Sequence, residues 1–570
     1  MAKLYDRHPS AVDSVSEDDI KTREYIDKLH AFSYDEHICD ETSWKVFCNL
    51  TDISAGMISW YPFVNWNNSV GLCIGAGFGT IAGLLCSKLE HVVATERSAF
   101  RAEAIAERFR HVDNLEILSG DFFDEEVFEA TKQAGLAHNP DGYDYIILTG
   151  VLGLLSQGSK DVSILVSYLK KIKSLLNEKG VILIGEDNRL GLRYWCGALN
   201  NMTGKAFDGL LKYPHGSRGY EFTRKEIIDL IELSGLKNNR LYYPLPDFRL
   251  PQMIFSDEYL PKNTVRERLI PYYSSNKTLI MNELDMYSDI IDNEAFKAFA
   301  NSFIIECRNI NCEDEKDTDE RVIYATLSAD RGLYGSFATC VKRNKDGYFV
   351  EKIPLYDEGK VSSANICENI KYLKDHNLSV VEHVLCDNGV IRMPYYESKT
   401  LSEYLKELAN EAKVDEINTI FDEVYENIIK SSDKAEVING DFAKYSNDIT
   451  IWGPILKKAF LELIPLNTFF SGEDFVYFDQ EFEIDNCPAG FVMYRAIHYS
   501  YNFIPELNSI ISKTNMIKRY GLQDVWDFLA AEENAFQMKV RLINQYKLFF
   551  SHTYIDGSVI ENNIDGLNRK

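Results

Sequence analysis

A glycine-rich turn lies between a short apolar run and a helical pattern. It reads Gly75-Ala76-Gly77-Phe78-Gly79. Glycines at such a turn let a ligand approach the backbone closely, and the following helix offers free N–H donors to that ligand. Glu96 ends the next predicted strand and Asp121 follows the third, at positions where nucleotide-binding α/β folds place acids. The three strand ends together predict a site for a nucleoside-containing cofactor.

The spacing of the glycines distinguishes between cofactor classes. The GxGxxG pattern of NAD-dependent dehydrogenases would need a glycine at Thr80, whereas the GxGxG pattern fits the sequence as it stands. Glycine turns also exist solely for close packing of a helix on a strand, and an acid at a strand end is often a helix N-cap. The packing interpretation therefore stays open beside the cofactor interpretation.

Four strings in the first half of the chain carry a resemblance to a known family. They are WYPF (60–63), NLEILSGDFFD (114–124), GEDNRLGLRYWCG (185–197) and YYPLPDFRLPQMIFSDEYLP (242–261). Together with the glycine turn, they resemble class I S-adenosylmethionine-dependent methyltransferases of a bacterial group associated with cell-surface polysaccharide assembly. The resemblance implies that S-adenosylmethionine is surrounded by Gly75, Gly77, Gly79, Glu96 and Asp121. It also implies that the acceptor is a hydroxyl of a glycan or glycolipid.

The first half departs from that family at two positions. Cys73 stands where such methyltransferases usually carry an acid, and the acid after the fourth strand is replaced near Gly153. The first change removes a usual anchor for the bound cofactor. Methyl transfer itself depends chiefly on the alignment of nucleophile, methyl carbon and sulfur.

Candidate acceptor ligands follow the last predicted strand of the first domain, where α/β folds place ligand-facing loops. They are Glu186, Asn188, Arg189 and Tyr194. The same residues could instead hold their own loop in place. His215 is a weaker candidate, since a single histidine is more often a surface or packing residue.

The second half contains a lysine and acids in the order found in kinases. Lys352 lies in a predicted strand and Glu368 on the following helix, which is the pair that kinases use to hold nucleotide phosphates. Glu462 to Asn467, followed by Asp479, resembles the catalytic loop and the metal-binding acid of the protein-kinase-like fold. The resemblance implies a catalytic role for Glu462, with Asn467 and Asp479 holding Mg²⁺ and with ATP as a second cofactor.

This second resemblance also has departures. Glu462 replaces the catalytic Asp, the glycine-rich lid DRGLYGS lacks the full repeat, and the DFG-like triplet reads Asp479-Gln480-Glu481. An active kinase and a degenerate kinase-like scaffold therefore both remain open, as does a helical domain with these residues at accidental spacing. The whole arrangement resembles bifunctional methyltransferase-kinase terminators of bacterial O-antigen chains.

Alternating strand and helix patterns must position the first site. The predicted strands are SVGLCIG, HVVATE, LEILSG, YDYIILTG and VILIGED, with amphipathic helical patterns between them. This order predicts an α/β fold with a Rossmann-like, doubly wound sheet. The acidic run EDEKDTDE (313–320) is interpreted as a linker. We therefore predict a methyltransferase domain over 1–312 with an N-terminal extension and a two-lobed α+β kinase-like domain over 321–570 with C-terminal helices. Most of the chain after Leu401 is predicted to be helical.

Composition limits the possible partners. The chain has 570 residues, 45% of them apolar, and a net charge of −26, which disfavours nucleic acid and anionic membranes as main partners. The uncharged segment from Val64 to Ser87 could span a bilayer, but its division into a strand, a glycine turn and a helix favours a globular structure. Scattered cysteines and the absence of a signal-peptide pattern predict a cytoplasmic protein, with the inner face of the membrane as a possible peripheral location. Glycosyltransferases are candidate partners, and a non-catalytic scaffold for them is an alternative function. A second alternative is a kinase whose first domain presents substrate.

Overall fold

The computed structural model describes most of the chain, which divides into two units. The described residues are 2–6, 15–29, 34–64, 69–156, 158, 161–262, 265, 269–309, 320–446, 448–472, 474–543, 546–553 and 556–568. The first unit comprises Met1–Asp330, Ala338–Gly347 and Ile543–Lys570. The second comprises Arg331–Phe337 and Tyr348–Leu542.

The first unit is built on one sheet covered by helices. Its strands are β1 (Lys3–Asp6), β2 (Val70–Ile74), β3 (His91–Glu96), β4 (Leu115–Ser119), β5 (Tyr143–Thr149), β6 (Leu176–Asp187), β7 (Lys237–Leu245), β8 (Met253–Ser256), β9 (Ser302–Arg308), β10 (Arg321–Leu327) and β11 (Phe337–Asn344). Its helices are α1 (Glu17–Leu29), α2 (Trp44–Leu50), α3 (Thr80–Lys88), α4 (Ala99–Arg108), α5 (Glu125–His138), α6 (Leu152–Leu155), α7 (Val162–Lys173), α8 (Leu192–Trp195), α9 (Arg224–Leu233), α10 (Glu283–Asp292), α11 (Phe296–Phe299), α21 (Lys547–Thr553) and α22 (Gly557–Asn568).

The strand order places several strand ends side by side. It runs β1-β4-β3-β2-β5-β6-β9-β7-β8-β10-β11. The pairs from β1 to β6 are parallel, and β9 then pairs antiparallel with β6. Apolar residues are buried on both faces of β2 and β3, as a parallel sheet covered by helices requires. The prediction of a Rossmann-like α/β first domain is confirmed.

The predicted domain boundary differs from the division in the structure. The sequence pattern predicts that the strand Arg321–Leu327 opens the second domain, but this strand pairs antiparallel with β8 through Ala325 and Ile254 in the first unit. Residues 313–319 of the predicted linker lie outside the described residues. Strand pairing, which the sequence alone does not reveal, therefore extends the first unit beyond the acidic run.

The second unit combines small antiparallel sheets with helices. Its strands are β12 (Gly347–Pro354), β13 (Val384–Leu385), β14 (Ile391–Pro394), β15 (Ile455–Phe460), β16 (Thr468–Phe470), β17 (Phe475–Tyr477) and β18 (Glu483–Pro488). Its helices are α12 (Gly332–Gly335), α13 (Gly359–Asp375), α14 (Leu401–Asn410), α15 (Val414–Lys430), α16 (Gly440–Tyr445), α17 (Ala489–Phe503), α18 (Leu507–Ile510), α19 (Lys513–Arg519) and α20 (Trp526–Val540).

The region after Leu401 contains more strand than the sequence pattern suggested. β15 pairs with β18 and β16 pairs with β17, all antiparallel. These strands are only three to six residues long, and strands of this length leave a weak alternation signal. The prediction of a largely helical region is therefore incomplete.

The uncharged segment considered as a bilayer helix is divided in the structure. β2 ends at Ile74 and α3 begins at Thr80, with the glycine turn between them. Within the described part of the chain, no helix combines the length and apolarity needed to cross a bilayer.

Candidate active site

The glycine turn lies at the carboxyl end of β2. Gly75, Gly77 and Gly79 all have positive φ angles, of 70°, 60° and 90°. A Cβ atom at Gly75 would lie 2.7 Å from a methyl group of Val151, whereas a Cβ at Gly77 would meet no atom within 4 Å. Gly75 is therefore required by packing. The backbone of Gly77 borders open space into which a ligand can approach.

Glu96 joins this turn to the end of the neighbouring strand. Its buried carboxylate accepts a hydrogen bond from the Gly77 amide at 2.8 Å and another from the Ser98 amide at 3.0 Å. β2 and β3 are parallel neighbours, so their carboxyl ends bring these groups together. The predicted association of Glu96 with the glycine turn is thus present in the geometry.

Asp121 lies one strand farther along the same edge. One carboxylate oxygen accepts a hydrogen bond from the Phe123 amide at 3.1 Å, and the other lies 3.6 Å from Nε of Arg97. Its side chain is 37% exposed, much more than that of Glu96. The carboxylate therefore closes its own turn and also remains accessible from the rim of the sheet.

Arg108 supports the glycine turn, although no motif in the sequence indicates this role. Its Nη1 donates to the Phe78 carbonyl at 3.1 Å and to the Thr80 hydroxyl at 3.2 Å. Burial lowers the pKa of this guanidinium, while Asp52, 4.0 Å away, acts in the opposite direction. The charge is therefore kept beside the turn by a carboxylate that comes from a different part of the chain.

The two departures from the methyltransferase pattern have structural explanations. Burial, with a smaller contribution from Glu96, raises the pKa of the Cys73 thiol to about 12, so this residue is a neutral core side chain. A Cβ at Gly153 would lie 2.6 Å from the Tyr220 carbonyl oxygen and 3.2 Å from Oε2 of Glu186. No acid fits at that position, where Glu186 of the next strand already places a carboxylate.

The four candidate acceptor ligands are bound within the protein. Glu186 accepts from the Leu152 amide at 2.7 Å and so anchors the start of α6. Asn188 donates to two backbone carbonyls near residue 300, and Arg189 lies 3.2 Å from Oε1 of Glu226. The Tyr194 hydroxyl donates to Glu221 at 3.0 Å. All four are at most 5% exposed, so the structure favours the loop-holding interpretation for them. His215 is exposed.

A network of charged groups, buried except for the partly exposed Arg249, adjoins these residues. No predicted site residue belongs to it. Arg249 holds Asp187 with two hydrogen bonds of 2.7 and 2.6 Å. Arg193 pairs with Asp247 at 2.5 Å, and the Tyr272 hydroxyl donates to the same carboxylate. The string YYPLPDFRLPQ contained Asp247 and Arg249, so the family resemblance was the signal that could have identified them.

In the second unit, Lys352 has different partners from those predicted. Its ammonium contacts the carboxylates of Asp479 and Glu481, and Arg331 also pairs with Glu481 at 2.6 Å. Although burial alone would lower the pKa of Lys352, these carboxylates raise it above its usual value. Glu368 is exposed, and the next residue on α13, Asn369, faces inward and donates to the Gln480 carbonyl. The prediction of a Lys352–Glu368 pair is wrong, because the helix turns the neighbouring residue toward the cluster.

Glu462 and Asp479 belong to this same cluster. The Glu481 amide donates to Glu462 at 2.6 Å, and burial together with the nearby carboxylates raises the pKa of Glu462. Asp479 has a left-handed backbone, with φ of 56°. The backbone carbonyl of Asn467 accepts from the Phe478 amide at 3.1 Å, which places Asn467 beside the strand that leads to Asp479. Among the described residues, no group of three or more His, Cys, Asp or Glu is arranged to hold a metal ion.

The contrast between Gly75 and Gly77 gives a first prediction. Replacing Gly77 by Ala introduces left-handed strain of about 1 to 2 kcal/mol without a clash, since its Cβ would meet nothing. Gly75→Ala adds a clash with Val151 to the same strain. We expect the free energy of unfolding in urea to fall clearly more for Gly75→Ala. Equal losses would contradict the packing role of Gly75.

A second prediction concerns Glu186 and pH. Burial, followed by the charge of Asp187, raises the pKa of Glu186 to about 8 from an ordinary value of 4.5. The folded protein therefore holds a proton that the unfolded chain loses between these values, so stability decreases as pH rises from about 4.5 to about 8. In Glu186→Gln the loss of stability with rising pH should be smaller than in the wild type. A single proton can account for a difference in slope of at most about 1.4 kcal/mol per pH unit. Scanning calorimetry of both proteins between pH 5 and pH 8.5 measures this pH dependence of stability. The same dependence in both proteins would contradict the raised pKa of Glu186.

A third prediction tests the partners of Lys352. Lys352→Met removes the cation shared by the buried Glu481, which keeps only Arg331, and by Asp479, whose side chain is 41% exposed. It should lower the free energy of unfolding by about 2 kcal/mol. The matched change Glu368→Gln, at an exposed position, should alter it by less than about 0.5 kcal/mol. Urea denaturation of both variants decides the matter. A comparable loss in Glu368→Gln would restore the pair first predicted.

Comparisons with known proteins give fold-level neighbours. No family model matches the chain, and no curated protein matches it. A carbon methyltransferase, CurJ, is 13% identical with a TM-score of 0.25, and the match covers 44% of this chain and 49% of that protein. An O-methyltransferase from neocarzinostatin biosynthesis, solved with S-adenosyl-L-homocysteine and 1,4-dihydroxy-2-naphthoic acid, is 19% identical with a TM-score of 0.23, covering 33% and 48%.

A further neighbour is a SAM-dependent methyltransferase from Archaeoglobus fulgidus. It is 11% identical with a TM-score of 0.27, and the match covers 45% of this chain and 92% of that protein. The chain spans about half the length of the two structures described above. At these scores the neighbours do not by themselves assign a function. The strand order and the glycine turn of the chain itself carry the interpretation that follows.

Proposed function

We propose that the first unit transfers a methyl group from S-adenosylmethionine to a hydroxyl of a glycan or glycolipid. The observation that carries this proposal is the pairing of the open glycine turn with Glu96. The Gly77 backbone borders free space, and the carboxylate that ends β3 is held against the same amide. This is the arrangement expected for a cofactor that brings a ribose to a strand end of an α/β fold.

The residues at this edge would each serve a separate part of the cofactor. S-adenosylmethionine supplies a methyl group on a sulfonium, which is already a good leaving group. Gly77 would let the cofactor lie against the backbone, and Glu96 would accept hydrogen bonds from ribose hydroxyls. Asp121, more exposed on the next strand end, would face the adenine. The protein then contributes orientation and exclusion of water, which suffice for an in-line transfer.

The position of Cys73 bears on cofactor affinity. A carboxylate there would offer a negative charge to the ammonium group of the cofactor, whereas the neutral, buried thiol offers none. We therefore propose a weak cofactor site whose affinity depends more heavily on Glu96. The glycan acceptor, a cytoplasmic location at the inner membrane face and glycosyltransferase partners follow from the family resemblance alone.

A second candidate function concerns the second unit. Lys352 from β12 and Asp479 after β17 meet in the structure, which brings together a lysine and an acid that a kinase-like site would use for nucleotide phosphates and Mg²⁺. The Lys352–Glu368 pair that an active kinase also needs is not formed. Nucleotide phosphates would have to displace Glu481 from Lys352, because that carboxylate occupies the ammonium. Glu462, whose pKa is raised, would then act as a proton acceptor only at higher pH.

A non-catalytic assembly role is favoured by other observations. Cys73 is neutral, Gly153 admits no acid, and Lys352 is neutralised by the carboxylates of its own unit. In this alternative both units would serve as folded surfaces for glycosyltransferases. The alternative and the methyltransferase proposal make opposite predictions for cofactor binding.

Calorimetry with S-adenosylhomocysteine on the full chain tests the proposal. We expect saturable binding that weakens about tenfold in Glu96→Gln, since hydrogen bonds to a charged group contribute about 1.5 to 3 kcal/mol. The matched control Glu90→Gln changes an exposed acid just before β3 and should leave the affinity unchanged. Cys73→Glu should bind more tightly if the site is a functional one that lacks an anchor.

Each outcome separates the candidates. Absence of heat at millimolar S-adenosylhomocysteine would overturn the methyltransferase proposal. Heat with ATP and Mg²⁺ alone would favour the kinase candidate, and flat traces for both ligands would leave the assembly role.

A further inference from the structure

The first unit includes a C-terminal segment that begins at Ile543 and contains α21. Tyr546, just before this helix, and Phe549 within it are only 2% and 4% exposed. Phe549 is stacked against Phe47 of α2, with ring centroids 6.4 Å apart. The segment is therefore packed into the first unit.

A series of polar contacts connects Tyr546 to the glycine turn. The Tyr546 hydroxyl donates to the carboxylate of Asp35 at 2.8 Å, and both residues are buried. The same carboxylate accepts from the Asp52 amide at 3.3 Å. The Asp52 carboxylate in turn lies 4.0 Å from Nη2 of Arg108, and Nη1 of Arg108 donates to the Phe78 carbonyl at 3.1 Å. The series leads from the C-terminal segment to the backbone of the turn.

A second set of contacts reaches the same place through α2. His552 of α21 is stacked on Trp44, the first residue of α2, with ring centroids 4.3 Å apart. Near the other end of α2, the Asn49 carbonyl accepts a hydrogen bond from the Thr80 hydroxyl at 3.4 Å. That hydroxyl also accepts from Arg108 at 3.2 Å. The two sets therefore meet at Thr80, which begins α3 directly after the turn.

These contacts restrain the residues on both sides of Gly79. Gly79 has a left-handed backbone, with φ of 90°, and glycine itself restricts the chain less than any other residue. Phe78 is held through its carbonyl and Thr80 through its hydroxyl. The start of α3, where free N–H groups favour a ligand, is thus held in position by Arg108 and α2. A turn that is already ordered binds a ligand more tightly than one that must be ordered on binding.

We infer that Tyr546 is a positioning residue for the proposed cofactor site, acting through Asp35 and Arg108 on the glycine turn. The identity of the ligand rests on the proposed function, whereas the restraint of the turn is independent of it. Since coupling between two sites is reciprocal, a ligand that orders the turn also strengthens docking of the C-terminal segment. The turn is therefore expected to loosen when the Tyr546 hydroxyl is removed, and the segment to tighten when S-adenosylhomocysteine binds.

Hydrogen–deuterium exchange of the full chain without ligand tests the restraint. Tyr546→Phe removes the hydroxyl that reaches Asp35 and keeps the buried ring. We expect the amides of residues 75–83 to exchange about threefold faster or more, because part of the coupling that orders the turn is lost.

A matched variant separates positioning from general stability. Tyr143→Phe removes a buried hydroxyl of the same kind, which donates to the Thr131 carbonyl at 2.7 Å at the amino end of β5. The glycine turn lies at the carboxyl end of β2, the parallel neighbour of β5, so exchange in residues 75–83 should stay unchanged. Equal acceleration of the turn in both variants, or no acceleration in Tyr546→Phe, would overturn the inference.

Two measurements with S-adenosylhomocysteine complete the test. In calorimetry, Tyr546→Phe should bind about threefold more weakly or worse, whereas Tyr143→Phe should bind as the wild type does. In the wild type, saturating S-adenosylhomocysteine should slow exchange of residues 546–553 by a similar factor. Unchanged exchange there, or equal affinity in Tyr546→Phe, would overturn the inference. Absence of binding to the wild type would instead overturn the methyltransferase proposal, and exchange of the ligand-free turn would still decide the role of Tyr546.

Discussion

The hydrogen bond between the Gly77 amide and the Glu96 carboxylate is the contact on which the proposed site depends. It joins two parallel strand ends and fixes an acid beside a backbone that has no side chain of its own. The acid is buried, so moving it would expose or isolate a charge. Arg108 also supports the turn, because it donates a hydrogen bond to the Phe78 carbonyl. The turn is therefore preorganised by the protein before any ligand arrives.

The treatment of buried charge explains much of the remaining architecture. In the first unit, Arg249 and Arg193 neutralise Asp187 and Asp247, whereas Glu186 is stabilised mainly by amide donors and keeps a raised pKa. In the second unit, Lys352 is shared by two carboxylates. Removing one partner of such a pair costs more folding free energy than the intact pair contributes, because the other charge is left unpaired in a poorly solvated environment. Loss of a single partner from either cluster is therefore expected to destabilise the fold.

The elements of the first unit could be predicted well because periodicity and burial agree in them. HVVATE forms β3 with the predicted limits, His91–Glu96, and its residues from Val92 onward are buried. The roles of Glu186, Asn188 and Arg189 could not be predicted in the same way. They follow a strand, as ligand-binding residues do, but their partners come from residues 152, 226 and 298–300, which lie nearby only in the folded chain. The wrong prediction of a Lys352–Glu368 pair has a simpler origin. Adjacent residues on a helix point in different directions, so Asn369 faces the cluster and Glu368 faces solvent.

The C-terminal segment shows why the sequence suggested a simpler division than the fold has. The first unit is assembled from three stretches of chain, and the last begins at Ile543. Tyr546 donates to Asp35 at 2.8 Å, and Asp35 accepts from the Asp52 amide, beside the carboxylate that faces Arg108. A chain of contacts therefore runs from the segment after residue 542 to the glycine turn. Linear order had assigned that segment to the second domain, but these hydrogen bonds make it part of the structure that supports the first site.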